Sequence, residues 1–279
     1  MVSKKFDPLK IFSVVFCILF MFFILFPIVW MIPAAFKPKS EVFALPAHWW
    51  PQNFTFENFE KVFVRDTQVD FFSSMIMTTI VSVSSTFLSL LVNTMAAYSF
   101  ARIEMPFKKI LWPLYLIPMF VPGISISLTR FSVVSALGML DTIWVLIVPG
   151  LAGAYQAFFF RQFFLGVPAS YEEAAELDGC NKLQIYYKIF LPMSVTPIII
   201  QGVAIFMAHW NSFLWPTLTI NDAIELKQTM QVVKYLAKNN STGYGVTMAA
   251  TLIAMIPPLI VFAVLQKKIL QGVTLSGIK

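Results

Sequence analysis

Charge is what this chain has least of. Aspartate, glutamate, lysine and arginine make up 12% of its 279 residues, about half of the roughly 25% usual in soluble domains. A soluble domain of this length needs a charged shell that the sequence does not contain. Histidine and cysteine occur twice each, with Cys17 in an apolar run and Cys180 in a polar island. That placement indicates neither a disulfide nor a metal-ligand spacing. No G-x-x-x-x-G-K-[ST] phosphate loop, no H-E-x-x-H and no G-x-S-x-G occurs. Nucleotide hydrolysis and the common hydrolase chemistries therefore have no home here, and the chain reads as a non-enzyme. The net charge of +6 is dispersed without a basic stripe, so no nucleic-acid partner is indicated.

What is present is hydrocarbon. The chain is 58% hydrophobic and holds 29 phenylalanines, the composition of a polytopic helical membrane protein. Six apolar stretches, estimated at 11–35, 72–100, 109–129, 142–164, 193–216 and 245–266, are long enough to cross a bilayer as helices. Lys4, Lys5 and Lys10 before the first stretch, and Pro33-Ala34-Ala35 at its end, mimic a secretory signal. Its length and the five spans after it argue instead for an uncleaved helix. With the N-terminus inside, twelve basic residues fall inside and 20 − 12 = 8 outside. The pairs Lys108-Lys109 and Lys267-Lys268 carry that signal. The expected topology places both termini and the segment after the fourth span in the cytoplasm, with 36–71 outside.

In the outer loop, His48, Trp49 and Trp50 read as an interfacial belt or a surface for an external partner, and Thr55 as the N-cap of a short helix. Pro113, Pro118, Pro122, Pro149, Pro257 and Pro258 predict broken or kinked spans.

One stretch does not belong in hydrocarbon. Glu172, Glu173, Glu176 and Asp178 are four of the chain's fourteen acids, and each would cost about 3 kcal/mol at a bilayer centre. The island must lie in water or against a polar surface. Residues 168–192 read as a helix-turn-helix, with Pro168 in a first turn and Ser170 with Glu173 as a capping box. Gly179 is the left-handed residue that ends the first helix, and Asn181 caps the second, which Pro192 stops. Leu183, Tyr186, Tyr187 and Phe190 are predicted to share one apolar-aromatic face. An acidic first helix is repelled by anionic lipid, so a cytoplasmic protein partner is the better reading.

Glu173-Ala174-Ala175, then Gly179, then Ile189-x-Leu191-Pro192 resembles the E-A-A-x-x-x-G-x(9)-I-x-L-P loop of ABC importer permeases. Asp178-Gly179 with Tyr186 resembles the form found in sugar importers, with Cys180 and Tyr186 as departures. "FPIVWMIPAAFKP", "FTFENFEKVF", "AAYSFARIEMP", "WNSFLWP" and "QGVTLSGIK" extend the resemblance over nearly the whole chain, towards the second six-helix permease of maltose-type importers. The resemblance implies an all-α, type I permease fold in the bacterial cell membrane. The chain would be a single domain, 1–279, with an extracytoplasmic loop at 36–71 and a cytoplasmic coupling loop at 165–192. It implies a second permease subunit, a cytoplasmic ATPase dimer that carries ATP and Mg, and an extracytoplasmic sugar-binding protein, with lipid around them and no cofactor on this chain. Glu172, Glu173, Ala174, Ala175, Asp178, Gly179, Tyr186, Ile189, Leu191 and Pro192 are the coupling residues so implied.

For the solute pathway, Asn93, Gln156, Gln201, His209, Trp210, Asn211 and Trp215 are the polar or amphipathic side chains within the spans, suited to sugar rings and hydroxyls. Each has a plainer reading as interhelical glue. An ion-coupled carrier is the rival function, and only His209 lies deep enough to serve it. An ABC importer permease for a non-sugar solute is the other alternative.

Overall fold

A computed structural model describes residues 8–46, 48–238 and 243–276. Lys4, Lys5, Lys279 and the last residues of "QGVTLSGIK" lie outside them. Among the described residues the structure is helical, without a strand. The helices are α1 (Pro8–Ala35), α2 (Glu57–Val62), α3 (Phe71–Arg102), α4 (Lys108–Leu116), α5 (Gly123–Ala136), α6 (Ile143–Ile147), α7 (Ala154–Leu165), α8 (Ala169–Leu177), α9 (Lys182–Ile185), α10 (Leu191–Met193), α11 (Val195–Trp210), α12 (Leu214–Thr219), α13 (Thr229–Lys238) and α14 (Tyr244–Ser276).

Three segments are long and apolar enough to cross a membrane unbroken: Leu9–Ala35, Phe71–Arg102 and Tyr244–Ile269. They correspond to the first, second and sixth expected spans. The other three are bent pairs: Lys108–Phe120 with Gly123–Ala136 at 106°, Ile143–Gly150 with Ala154–Leu165 at 44°, and Lys182–Met193 with Val195–Trp210 at 79°. Proline accounts for the first break: the Pro122 ring disfavours the helical region for the residue before it, and Val121 is extended, with ψ 129°. Pro257 and Pro258 instead sit inside the continuous α14. The fifth span also differs from expectation. It ends at Trp210 rather than 216, and α12 is a separate short helix.

Pro192 does not stop the helix before it. The chain widens into a π turn over Tyr186–Phe190, where the Leu191 N–H reaches the Tyr186 carbonyl, and continues through α10. The break falls at Ser194, whose hydroxyl donates to the Phe190 carbonyl at 2.5 Å.

The chain forms two compact units, Met1–Arg65 with Val233–Met255, and Asp66–Val232 with Ile256–Lys279. In the first unit, α1 exposes nearly its whole length, including the stacked rings of Phe12, Phe16 and Phe20. Its end is tied down by Asn58, whose amide donates to the Ala35 and Lys37 carbonyls at 2.8 and 2.7 Å. Gly245 is required there, because a Cβ would stand 2.5 Å from that amide nitrogen. The Thr55 hydroxyl accepts from the Glu57 N–H at 3.1 Å, but Phe56 holds the N-cap position, one residue later than expected.

In the second unit α3 packs against α7 and α11. Its buried face carries Ser74, Thr78, Ser82, Ser85, Ser89 and Asn93, small polar residues that let backbones approach closely. Asp141, at φ 53°, crosses from the α5–α6 turn to accept the N–H groups of Asn221, Asp222 and Ala223 at 2.7, 3.0 and 3.3 Å. Burial alone would raise its pKa. The three N–H groups and the charge of Lys227 outweigh that and hold the carboxyl below its ordinary value. A depressed pKa contributes stability above the unfolded value, about 3.9, which is lost as pH falls through the folded one. Exchange protection of those three amides is therefore expected to fall on acidification. In Asp141→Asn, which tolerates the left-handed backbone and has no charge to lose, protection is expected to be lower and independent of pH.

Candidate coupling surface and solute pathway

The segment 165–192 is held by local backbone chemistry and by two cations. Pro168 stands at the N-cap of α8 and Ala169 opens the helix, so Ser170 already lies inside the first turn. The expected Ser170–Glu173 capping box is not formed, because the chain enters the helix before Ser170. The other end matches expectation. Gly179 has φ +81°, its N–H donates to Glu176 O at 3.0 Å, and the Cys180 N–H donates to Ala175 O at 2.9 Å. These two bonds are the Schellman closure, which needs a residue free to take the left-handed conformation. Asn181 then starts α9 with a full capping box, accepting from the Gln184 N–H at 2.9 Å while Gln184 Oε1 accepts from the Asn181 N–H at 2.8 Å.

The acidic island divides in two. Glu172 lies between Arg102 Nη1 at 3.9 Å and Lys182 Nζ at 3.0 Å, with its side chain only 12% exposed. Glu176 also pairs with Lys182. Hydrogen bonds to Glu176 and then Glu172 hold the Lys182 ammonium well above the usual lysine range. Arg102, the last residue of α3, additionally donates to the carbonyls of Phe164 (2.6 Å) and Val167, and its guanidinium lies 5.2 Å from the Phe190 ring centroid. One side chain therefore joins α3, the end of α7, α8 and the π turn.

Glu173, Ala174 and Asp178 remain exposed, and Leu177 is 90% exposed. Ala175 faces the opposite way, buried against the cluster of Phe164, Ile185, Tyr186 and Phe190. The predicted single aromatic face is split. Tyr186 and Phe190 are buried, with the Tyr186 hydroxyl 2.8 Å from Thr94 Oγ1, whereas Leu183 and Tyr187 are exposed. Each pair is four residues apart, so the two pairs define different faces. Ile189 and Leu191 pack on the buried cluster, and Pro192 is exposed beside the Ser194 break. Sequence reasoning missed Arg102, Lys182 and Leu177. The signal for Leu177 was a large apolar residue between Glu176 and Asp178, three positions after Ala174.

The pathway residues separate as well. Asn93 is interhelical glue: its amide donates to Ser89 and to Leu151 O at 2.8 Å, and its carbonyl accepts from the Gly153 N–H at 2.8 Å. Trp210 is fully buried and stacked on Phe206, and the Asn211 amide donates back to Met207 O. Gln201 is buried in α11, and Gln156 is half-buried in α7 beside Gly153. His209 and Trp215 meet at a cavity of about 230 Å³, which Arg130, Ser212 and Gln228 also line. The Trp215 indole N–H donates to Val145 O at 2.8 Å and the Arg130 guanidinium lies 5.6 Å from its ring centroid.

A helical membrane chain of bent spans, with a braced polar hairpin between the fourth and fifth, has the architecture of an importer subunit. Residues 91–275 match the family described as "Binding-protein-dependent transport system inner membrane component". The chain belongs to this family, and is thus a permease subunit of an ABC importer rather than an enzyme. It is 30% identical over 272 residues to the probable ABC transporter permease protein YurM of Bacillus subtilis, covering 95% of this chain and 87% of that relative. It is 27% identical over 252 residues to the lactose transport system permease protein LacG of Rhizobium radiobacter, covering 90% of each. In fold it is similar to a chain of a bacterial ABC transporter involved in the import of the acidic polysaccharide alginate, with a TM-score of 0.78 at 21% identity over 96% of this chain and 98% of that one.

Proposed function

We propose that this permease forms half of a sugar translocation pathway together with a second permease subunit. An extracytoplasmic sugar-binding protein delivers the solute, and residues 165–192 seat on one subunit of a cytoplasmic ATPase dimer that carries ATP and Mg. Both termini lie in the cytoplasm. The observation that carries the coupling role is the exposed face of Glu173, Ala174 and Leu177 on a helix fixed at both ends. An apolar side chain that stands out between acids at a braced tip is suited to a pocket on another protein. The sugar assignment is supported by the cargo named for similar proteins, lactose and alginate.

The test is uptake of radiolabelled oligosaccharide into membrane vesicles that hold the assembled transporter. ATP is expected to drive accumulation and an ion gradient alone is not. Accumulation under a proton or sodium gradient without ATP would replace this reading with an ion-coupled carrier. Cysteine-accessibility labelling tests the orientation, with a cysteine at 279 expected to react only from the cytoplasmic side.

A further inference from the structure

The cavity at the end of α11 carries hydrogen-bonding groups that the fold leaves unused. Gln228 is 2% exposed; its Nε2 donates to Leu226 O at 2.9 Å, and its Oε1 is buried without a partner. A buried carbonyl of this kind is destabilising when left unmet, which points to a donor that arrives from outside the chain. His209 presents a second acceptor. Its Nδ1 lies 3.0 Å from Ile205 O, which can only accept, so Nδ1 carries the hydrogen and Nε2 keeps its lone pair. Gly150 leaves Nε2 uncovered, since a Cβ there would sit 3.4 Å away. Arg130, an exposed side chain, also lines the cavity; it makes no hydrogen bond or ion pair with the described residues, and its guanidinium lies 5.6 Å from the Trp215 ring centroid. No carboxylate lines the cavity.

We infer that this cavity binds one unit of an acidic sugar, whose carboxylate or phosphate accepts from Arg130 while its hydroxyls donate to Gln228 Oε1 and His209 Nε2. Arginine's planar fork matches an oxyanion bidentately, and an unpaired cation in a site without acids favours an anionic solute over a neutral one. The cavity volume falls below the roughly 300–1,000 Å³ of sites for drug-sized ligands, so it fits one sugar unit rather than a chain. Trp215, fixed by its bond to Val145, supplies a rigid wall for the ring's C–H face. This inference rests on the importer reading above and narrows its substrate class.

The experiment uses the complete transporter with its binding protein in proteoliposomes, with trigalacturonate, glucose 6-phosphate and maltotriose as probes. Wild type is expected to take up at least one anionic probe, and which of the two tells carboxylate from phosphate. Arg130→Gln is expected to lower that uptake about tenfold or more, the loss of one charge-assisted pair, and Arg130→Lys to restore part of it. Gly150→Ala, which keeps every charge and places a methyl beside His209 Nε2, is expected to lower it as well. Wild-type uptake confined to maltotriose, or Arg130→Gln transporting the anionic probe at the wild-type rate, would overturn the inference. Absence of ATP-dependent uptake of all three probes would instead count against the sugar reading beneath it.

Discussion

Ala174→Trp is expected to stop ATP-driven uptake by the assembled importer while the chain still inserts into the membrane. Ala174 is exposed on α8, beside Glu173 and Leu177, so a larger side chain there extends into solvent. Against a partner's pocket it is an obstruction, and loss of one central interface contact of about 3 kcal/mol weakens the complex about a hundredfold. The neighbouring residue gives the contrast. Ala175 is buried against Phe164 and Tyr186, so Ala175→Trp overpacks the hairpin's core and is expected to reduce the amount of folded chain. Gly179→Leu should uncouple by a different route. At φ +81° a branched side chain costs about 1–2 kcal/mol, although an added Cβ would meet no atom within 4 Å. The penalty is purely conformational, and it is relieved by re-aiming α8. Gly179→Asn, which accepts the left-handed backbone, should retain most uptake. Co-purification of the ATPase and vesicle uptake decide the matter: wild-type values for both Ala174→Trp and Gly179→Leu would mean the hairpin is not the docking surface.

Arg102→Met is expected to have the second large effect, on the stability of the same segment. The substitution leaves the Phe164 and Val167 carbonyls without the guanidinium and removes one of the two cations beside Glu172. Hydrogen bonds to a charged group contribute about 1.5–3 kcal/mol each, and the loss at Glu172 is smaller because that contact is long and Lys182 remains. Arg102→Lys should rescue little, since one ammonium does not span two carbonyls and a carboxylate. Limited proteolysis reads this directly, with cleavage expected to move into residues 165–182 in the variant. Wild-type protease resistance would show that the brace contributes nothing to order.

Features encoded by a single residue were legible in the sequence. Gly179 and Asn181 each impose a backbone state that few other residues accept, and both are found where expected. The first, second and sixth apolar runs, too, appear as unbroken helices long enough to cross a membrane, because length and composition decide them. What failed depended on tertiary context. Ser170 is a good cap in isolation, but the chain entered the helix one residue before it. The Tyr186 and Tyr187 side chains are adjacent in sequence yet one is buried and the other exposed, because Tyr98 and Thr94 on α3 receive only the first. Arg130 and Gln228 lie 98 positions apart (228 − 130) and meet at one cavity only through the fold. No periodicity in either neighbourhood marks that meeting.

The length of α3 has a mechanical consequence. It spans 32 residues, about 48 Å at 1.5 Å per residue. At one end Arg102 grips the hairpin; near the other, Thr78 Oγ1 accepts from the Thr229 N–H at 2.8 Å. Between them Asn93 pins the helix to the break ahead of α7 at both Leu151 and Gly153. Asn93 lies 102 − 93 = 9 residues from the Arg102 end and 93 − 71 = 22 from the other, so the rod is a lever of unequal arms with Asn93 as its fulcrum. A tilt of about 5° moves one end by about 4 Å relative to the other over that length, and in opposite directions on the two sides of the pivot. Inward pressure on the hairpin would then be felt as an outward swing at Ser74 and Thr78.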